Sequence, residues 1–249
     1  MLGPYRSGTS ITARILAELG VEFGPRDDLV PADVRNPTGY FERNDLNTVN
    51  HAFIESAGGS LESPGDPIDL ATAGDLEILR GYDMSWSKTA RLAGIKDPRM
   101  CATLWSWLHC GKIPLNQVKV ICIKRDAAAI QSSSEKHKSV AGYADNDPDR
   151  IKKMVNRYIE LTEWHRKHLD TPIYTFEYEQ LTSQPTEVVK GLASFLGVES
   201  PKAIKRAAAV IGSDRAKKNF LWKSRWKHRW RHFKAKLKPT FLNNRSIHK

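Results

Sequence analysis

The chain has 249 residues, 40% of them hydrophobic, enough to bury a full core as one α/β domain with a small appendage. Its 39 Lys and Arg against 28 Asp and Glu leave a formal charge of +11, which points to an anionic ligand, membrane surface or polymer. Three cysteines, Cys101, Cys110 and Cys122, are odd in number and lack C-x-x-C spacing, which argues against a disulfide framework or zinc site; no apolar run reaches the roughly 18 residues of a membrane span, and no secretory leader precedes the first glycine loop, so the expected setting is cytoplasmic.

In chain order, "GPYRSGTS" (Gly3 to Ser10) comes first and almost spells a Walker A loop. Thr9 stands where G-x-x-x-x-G-K-[ST] requires Lys, and the cation, Arg6, precedes the second glycine. Such loops follow a buried strand in open α/β sheets, yet only Met1 and Leu2 precede Gly3. Either the first strand is a stub or the true start lies upstream, and the second is the expectation. Apolar residues at helical spacing predict a helix from Ser10 to Leu19, stopped by Gly20. "NPTG" (Asn36 to Gly39) is a turn, and a helix follows from about Asn44 to Glu55. "GGSLESPGDP" reads as irregular loop, "DLEILRGYDMSW" as a helix, and "RLAGIK" as a short buried strand ending at Lys96. "VKVICIK" (Val118 to Lys124) is the clearest strand, and Asp126 caps the helix after it. Asp147-Pro148 starts an amphipathic helix reaching about His168, "PIYTFEY" is a strand, and "PTEVVKGLASFLG" is a helix closed by Gly197. Strands alternating with helices predict a parallel, helix-covered sheet over residues 1–212.

Residues 213–249 form a separate basic, Trp-rich tail. From Arg215 to Lys238 there are eleven cations and no Asp or Glu, so the rest of the chain is close to neutral. Trp222, Trp226, Trp230, Phe233 and Leu237 recur at helical spacing. That pattern fits an interfacial helix on anionic lipid, a contact for an acidic polysaccharide, or a helix packing its stripe on the core with a solvated basic face.

Four stretches in this order resemble the sulfotransferase family, which moves a sulfuryl group from 3′-phosphoadenosine 5′-phosphosulfate (PAPS) to an acceptor. They are "GPYRSGTS", "KDPR" (Lys96 to Arg99), "RDAAAIQSS" (Arg125 to Ser133) and "YEQLTSQP" running into "FLG" (Tyr178 to Gly197). The resemblance is to the bacterial and carbohydrate-acting branch, and it implies a three-layer P-loop-like fold: a central parallel sheet flanked by helices, here with a truncated first strand and a basic aromatic C-terminal helical tail. It also implies PAPS as co-substrate and no bound metal. The backbone N–H groups of Ser7, Gly8, Thr9 and Ser10 at a helix N-terminus form an anion nest, and Arg6 adds a charged donor where most of the family has Lys. The implied role of that cation is to stabilise charge on the leaving phosphate oxygen.

Arg125 and Ser133 are similar to the family's pair that clamps the 3′-phosphate, with Ser132 next in line if the register slips; read alone, Arg125 and Asp126 make a strand-end ion pair and Ser133 is a solvated helix serine. Lys96 is implied to point into the same crevice. The cytosolic branch has a histidine base two residues after that lysine, where this chain has Pro98, so another base is required. Glu42 in "NPTGYFERND" is the candidate, after two aromatics that could line an acceptor pocket and raise its proton affinity. The competing reading is that Glu42 and Asp45 favour a helix start through its dipole. His51 and Asp45 are the reserves.

The reading is therefore a sulfotransferase acting on a hydroxyl or amine, with a carbohydrate or lipid-linked glycan as the suggested acceptor. Peripheral contact with an anionic membrane or polyanion falls to the tail, and no specific nucleic acid is implied. The alternatives are a P-loop nucleotide kinase, disfavoured by Thr9 and by Lys124 and Arg125 where an Mg²⁺-binding acid is needed, and a non-catalytic anion-binding module.

Overall fold

The most strand-like stretch of the sequence lies at the centre of the sheet. Val120–Lys124 forms β1 and Ile173–Glu177 forms β2, paired in parallel from Val120↔Ile173 to Lys124↔Glu177. On the other side of β1, Leu2 bridges Cys122 in parallel: its N–H donates to the Ile121 carbonyl at 2.8 Å, and its carbonyl accepts from the Ile123 N–H at 3.0 Å. Beyond Leu2, the Met1 ammonium donates to the Ile95 carbonyl at 3.1 Å, and Ala93 bridges Glu22 in parallel. "RLAGIK" thus contributes a single bridge and not the buried strand expected. Arg91 and Ala93 are exposed there and burial begins only at Lys96, so no continuous apolar face holds a ladder.

Because these segments run the same way, their carboxyl ends meet at one edge of the sheet. Gly3 follows Leu2, Lys96 follows Ile95, Arg125 follows β1 and Tyr178 follows β2. The computed structural model describes residues 1–33 and 36–212, so the basic tail and its expected aromatic helix lie outside the described residues.

Successive side chains of β1 enter two cores, as strand pleating requires. Val120 and Cys122 join Leu2, Phe53, Trp107 and Tyr158, a core built with helices α2 (Asn44–Ser56), α3 (Pro67–Ala73), α4 (Leu76–Arg80), α5 (Met100–His109) and α8 (Pro148–His168). Ile121 and Ile123 join Ile15, Phe176 and Leu192, built with α1 (Thr9–Glu18), α9 (Gln180–Ser183), α10 (Pro185–Leu196) and the helical residues 201–212. Helices α6 (Ala127–Glu135) and α7 (Lys138–Gly142) close a third cluster against α8 through Ile130, Ala141, Ile151 and Val155. This is the expected layering of helices on both faces of a parallel sheet.

The local signals explain the boundaries. Asp126 accepts from the Ala129 N–H at 2.8 Å to cap α6, and Asp147 accepts from the N–H groups of Asp149 and Arg150 at 2.8 and 3.0 Å ahead of Pro148. The single helix expected over "DLEILRGYDMSW" is broken. It stops at Arg80, whose carbonyl accepts from Lys112 Nζ at 2.7 Å, and Asp83 then accepts from the Ser85 N–H at 2.8 Å to start a 3₁₀ turn over Ser85–Ser87. The break turns Tyr82 inward, edge-on to Trp107 at 5.7 Å. Helices α3, α7 and α9 are only 4 to 7 residues long and carry too little periodicity to be seen in sequence.

His165 on α8 is fully buried between helices. Its Nδ1–H donates to the Leu161 carbonyl at 2.9 Å and its Nε2 accepts from the Trp105 N–H of α5 at 3.1 Å. Burial pushes the imidazole down to about 4 from its ordinary 6.5. The folded state therefore holds fewer protons than the unfolded one, so this contribution is complete above pH 6.5 and is lost as pH falls toward 4, about 3 kcal/mol in all. Denaturant midpoints measured across that window should fall in the native protein, and His165→Gln should flatten that part of the slope.

Candidate active site

The loop after Leu2 is held in a shape that few residues adopt. Arg6 has φ 68° and Gly8 has φ 103°, and the Ser7 N–H donates back to the Pro4 carbonyl at 3.1 Å. A Cβ at Gly8 would lie 2.2 Å from the Tyr178 ring, so both backbone conformation and space demand glycine there. Gly8 caps α1, and Thr12 Oγ1 donates back to its carbonyl at 3.1 Å, so the amides from Thr9 onward sit at a helix N-terminus. Ser7 and Thr9 are buried, whereas Gly8 and Ser10 are partly exposed.

Three predicted residues from distant parts of the chain meet at this loop. Arg6 Nε donates to Ser133 Oγ at 3.1 Å, and Arg125 Nη1 donates to the Arg6 carbonyl at 2.6 Å. Arg125 also lies over the Tyr178 ring, 4.4 Å from its centroid. Ser133 thus bonds the loop cation rather than Arg125. Ser132 points elsewhere, accepting from Lys136 Nζ at 3.0 Å. Burial lowers the Arg6 proton affinity, opposed by Tyr40, but a guanidinium stays charged. Two buried polar atoms here, Ser7 Oγ and Arg125 Nε, have no partner among the described residues. Unpaired buried donors beside a helix N-terminus are the signature of an anion cradle.

Glu42 stands beside this cluster's neighbour on the sheet edge. Its carboxylate is ion-paired with the buried Lys96 through Oε1, and Oε2 accepts from Asn47 Nδ2 at 3.2 Å. Among the described residues the two aromatics expected to line a pocket at Glu42 are engaged elsewhere: Phe41 packs edge-on against Phe23 at 5.6 Å, and Tyr40 donates to Asp33 Oδ1 at 3.0 Å. Phe41 adopts φ 58°, costly for an aromatic residue, and this turn of the backbone sends consecutive side chains to the core and to Lys96. The reserves are placed elsewhere: His51 is half-buried and pairs with Glu55 at 3.4 Å, and Asp45 is bound by Arg43 at 2.7 Å.

Behind Lys96, Asp97 is buried and fully engaged. It accepts from the Arg99 N–H and Nη1, both at 2.9 Å, and from Asn50 Nδ2 at 2.8 Å. Burial pushes its carboxyl up, opposed by the Arg99 charge. Asn50 Oδ1 in turn accepts from Thr103 Oγ1 at 2.9 Å and Trp107 Nε1 at 2.8 Å. Asn47, Asn50 and Tyr178 are site-forming residues to which the sequence reading gives no role. Asn47 and Asn50 sit one helix turn apart on the buried side of α2, a spacing legible only as polar residues interrupting an apolar stripe.

A family model described as a sulfotransferase domain matches residues 1–237. The chain belongs to the sulfotransferase family. No curated protein and no solved structure matches it at a significant level. In this sulfotransferase the glycine loop and the arginine that follows β1 are in contact through Arg6, Ser133 and Arg125. Among the described residues no cluster of three or more His, Cys, Asp or Glu side chains is disposed to hold a metal.

The loop geometry can be tested by Gly8→Ala. A left-handed alanine costs about 1–2 kcal/mol before the Tyr178 contact is counted, so chemical denaturation should show at least that loss. Unchanged stability would refute the close approach of the loop to Tyr178.

Proposed function

We propose that this sulfotransferase uses PAPS as donor and transfers its sulfuryl group to a hydroxyl or amine, with Glu42 as general base. The observation that carries the reading is the convergence of Arg6, Arg125 and Ser133, with unpartnered Ser7 Oγ and Arg125 Nε, on one helix N-terminus. The donor has two anionic ends, and the sheet edge offers two sets of anion-binding groups. The amides of Ser7 to Ser10 with Arg6 suit the 5′-phosphosulfate, where backbone dipoles and a guanidinium oppose the charge that builds on the leaving phosphate. Arg125 and Ser133 suit the 3′-phosphate, since a guanidinium presents parallel donors to phosphate oxygens. Lys96, at the adjacent chain end, suits the sulfuryl oxygens between the loop and Glu42.

Glu42 suits the base because it is a carboxylate at the same edge and its second oxygen is steadied by Asn47. For the acceptor we favour a glycan, free or lipid-linked, and for the basic tail a peripheral contact with an anionic membrane or polyanion. A cytoplasmic site of action goes with these. Calorimetry with the bisphosphate product against ATP separates the donor reading from a kinase: tight, metal-independent bisphosphate binding supports it, and metal-dependent ATP binding overturns it.

Arg125→Ala should weaken binding of the bisphosphate by about 1.5–3 kcal/mol and leave a 5′-monophosphate analogue nearly unaffected. Equal losses for the two ligands, measured in the same titrations, would refute a 3′-phosphate role. Glu42→Gln keeps the shape of the side chain but cannot take a proton, so turnover should fall by about 10² to 10⁴ while bisphosphate affinity holds. Turnover that survives the change would remove Glu42 from the role.

A further inference from the structure

The Lys96–Glu42 pair poses a chemical problem for a base. A carboxylate bound to an ammonium is a poor proton acceptor, because the cation stabilises its charged form. The pair is also secluded: the Lys96 side chain is 3% exposed and that of Glu42 12%. The Lys96 ammonium has three hydrogens and gives one to Glu42, so it can also donate to a second anion. Its position supplies one. Lys96 follows Ile95, whose carbonyl is bound by the Met1 ammonium, and Gly3 opens the anion-binding loop two residues after Met1. The segment that carries Lys96 therefore runs beside the one that opens the loop, where the donor's sulfuryl oxygens would sit.

We propose that Lys96 is a hand-over residue, pairing with Glu42 until the donor's sulfuryl oxygens draw its ammonium away, so that the base is released only when a loaded donor is seated. This rests on the reading of the site as a PAPS site. In the transfer, the acceptor's oxygen or nitrogen forms a bond to sulfur as the bond from sulfur to the bridging phosphate oxygen breaks. The electron pair of that bond leaves with the bisphosphate, the acceptor's proton goes to Glu42, and Lys96 keeps its own protons throughout. The product bisphosphate lacks sulfuryl oxygens, so after transfer Lys96 returns to Glu42.

The charged and titratable groups set around Glu42 are Lys96, Asp97, Arg99 behind Asp97, and Tyr143. Asp97 is held by Arg99 and Asn50, which leaves Lys96 as the cation that can move. Once Lys96 leaves, a carboxylate in so closed a site holds a proton more firmly, and the protein takes up protons as the donor binds.

The test is calorimetric titration of the full chain near pH 6, with no acceptor present, in buffers of different ionisation enthalpy, counting protons exchanged on binding PAPS and on binding the bisphosphate. The bisphosphate's own phosphate titrates near about 6, so the reading is the change in each count between native and Glu42→Gln proteins. The inference expects the PAPS count to fall by a measurable fraction of one proton in Glu42→Gln and the bisphosphate count to stay unchanged. Lys96→Met should lower the PAPS count in the same way, and if that variant does not fold, the Glu42→Gln comparison stands alone. Counts that change equally for both ligands, or for neither, overturn the hand-over while leaving the donor assignment intact. Failure of both ligands to bind overturns the donor assignment and this role with it.

Discussion

The site depends on a carboxylate that does no chemistry. Asp97 is buried within a bond's reach of Arg99 and Asn50, and the Asn50 to Asp97 hydrogen bond at 2.8 Å fastens α2 to the segment carrying Lys96. The base candidate precedes α2, and its ammonium partner precedes Asp97. Their meeting is therefore supported by an interaction one layer below the surface. A buried carboxylate with unmet bonds is costly, so the three donors it accepts from are a condition of its being there at all. Trp107 and Thr103 of α5 then fill the remaining capacity of Asn50, and the cluster is closed to solvent.

The arginine cluster and the Glu42–Lys96 pair arrive at the same rim by separate routes. Arg6, Arg125 and Ser133 come from the first loop, the end of β1 and helix α6, and their bonds, one between side chains and one from side chain to backbone, span more than a hundred residues of sequence. Glu42, Asn47 and Lys96 come from the front half and are tied through α2 and α5. The two groups meet at the sheet edge, where parallel chain ends bring them side by side, and the first loop is also fastened to α5 by the bond from the Gly3 N–H to Cys101 Sγ at 3.3 Å.

The reach of the sequence can be followed residue by residue. The parallel sheet was legible because Val118 to Lys124 is apolar and β-branched, and the long helix because Asp147-Pro148 announces it. Leu2 could be suspected as a strand end since glycine loops follow strands, and it pairs with Cys122. The grouping of Arg6, Arg125 and Ser133 was legible only through the resemblance, because nothing local joins positions so far apart. The surroundings of Glu42 were misread. Two aromatics before a carboxylate suggest an apolar pocket, but the positive φ of Phe41 swings its ring into the core, and a dihedral of that kind is set by tertiary packing. The buried polar links of Asn50 and Asp97 are invisible for the same reason, since a hydrogen bond across 47 residues leaves no periodic trace.

Tyr178 touches both halves of the anion cradle, with the Gly8 backbone against one part of its ring and the Arg125 guanidinium over its face. A flat ring has no internal joint that would let it lengthen or shorten. With Arg125 also bonded directly to the Arg6 carbonyl, the ring, the guanidinium and the loop backbone are packed as one block, and a shift of any one of them displaces the other two.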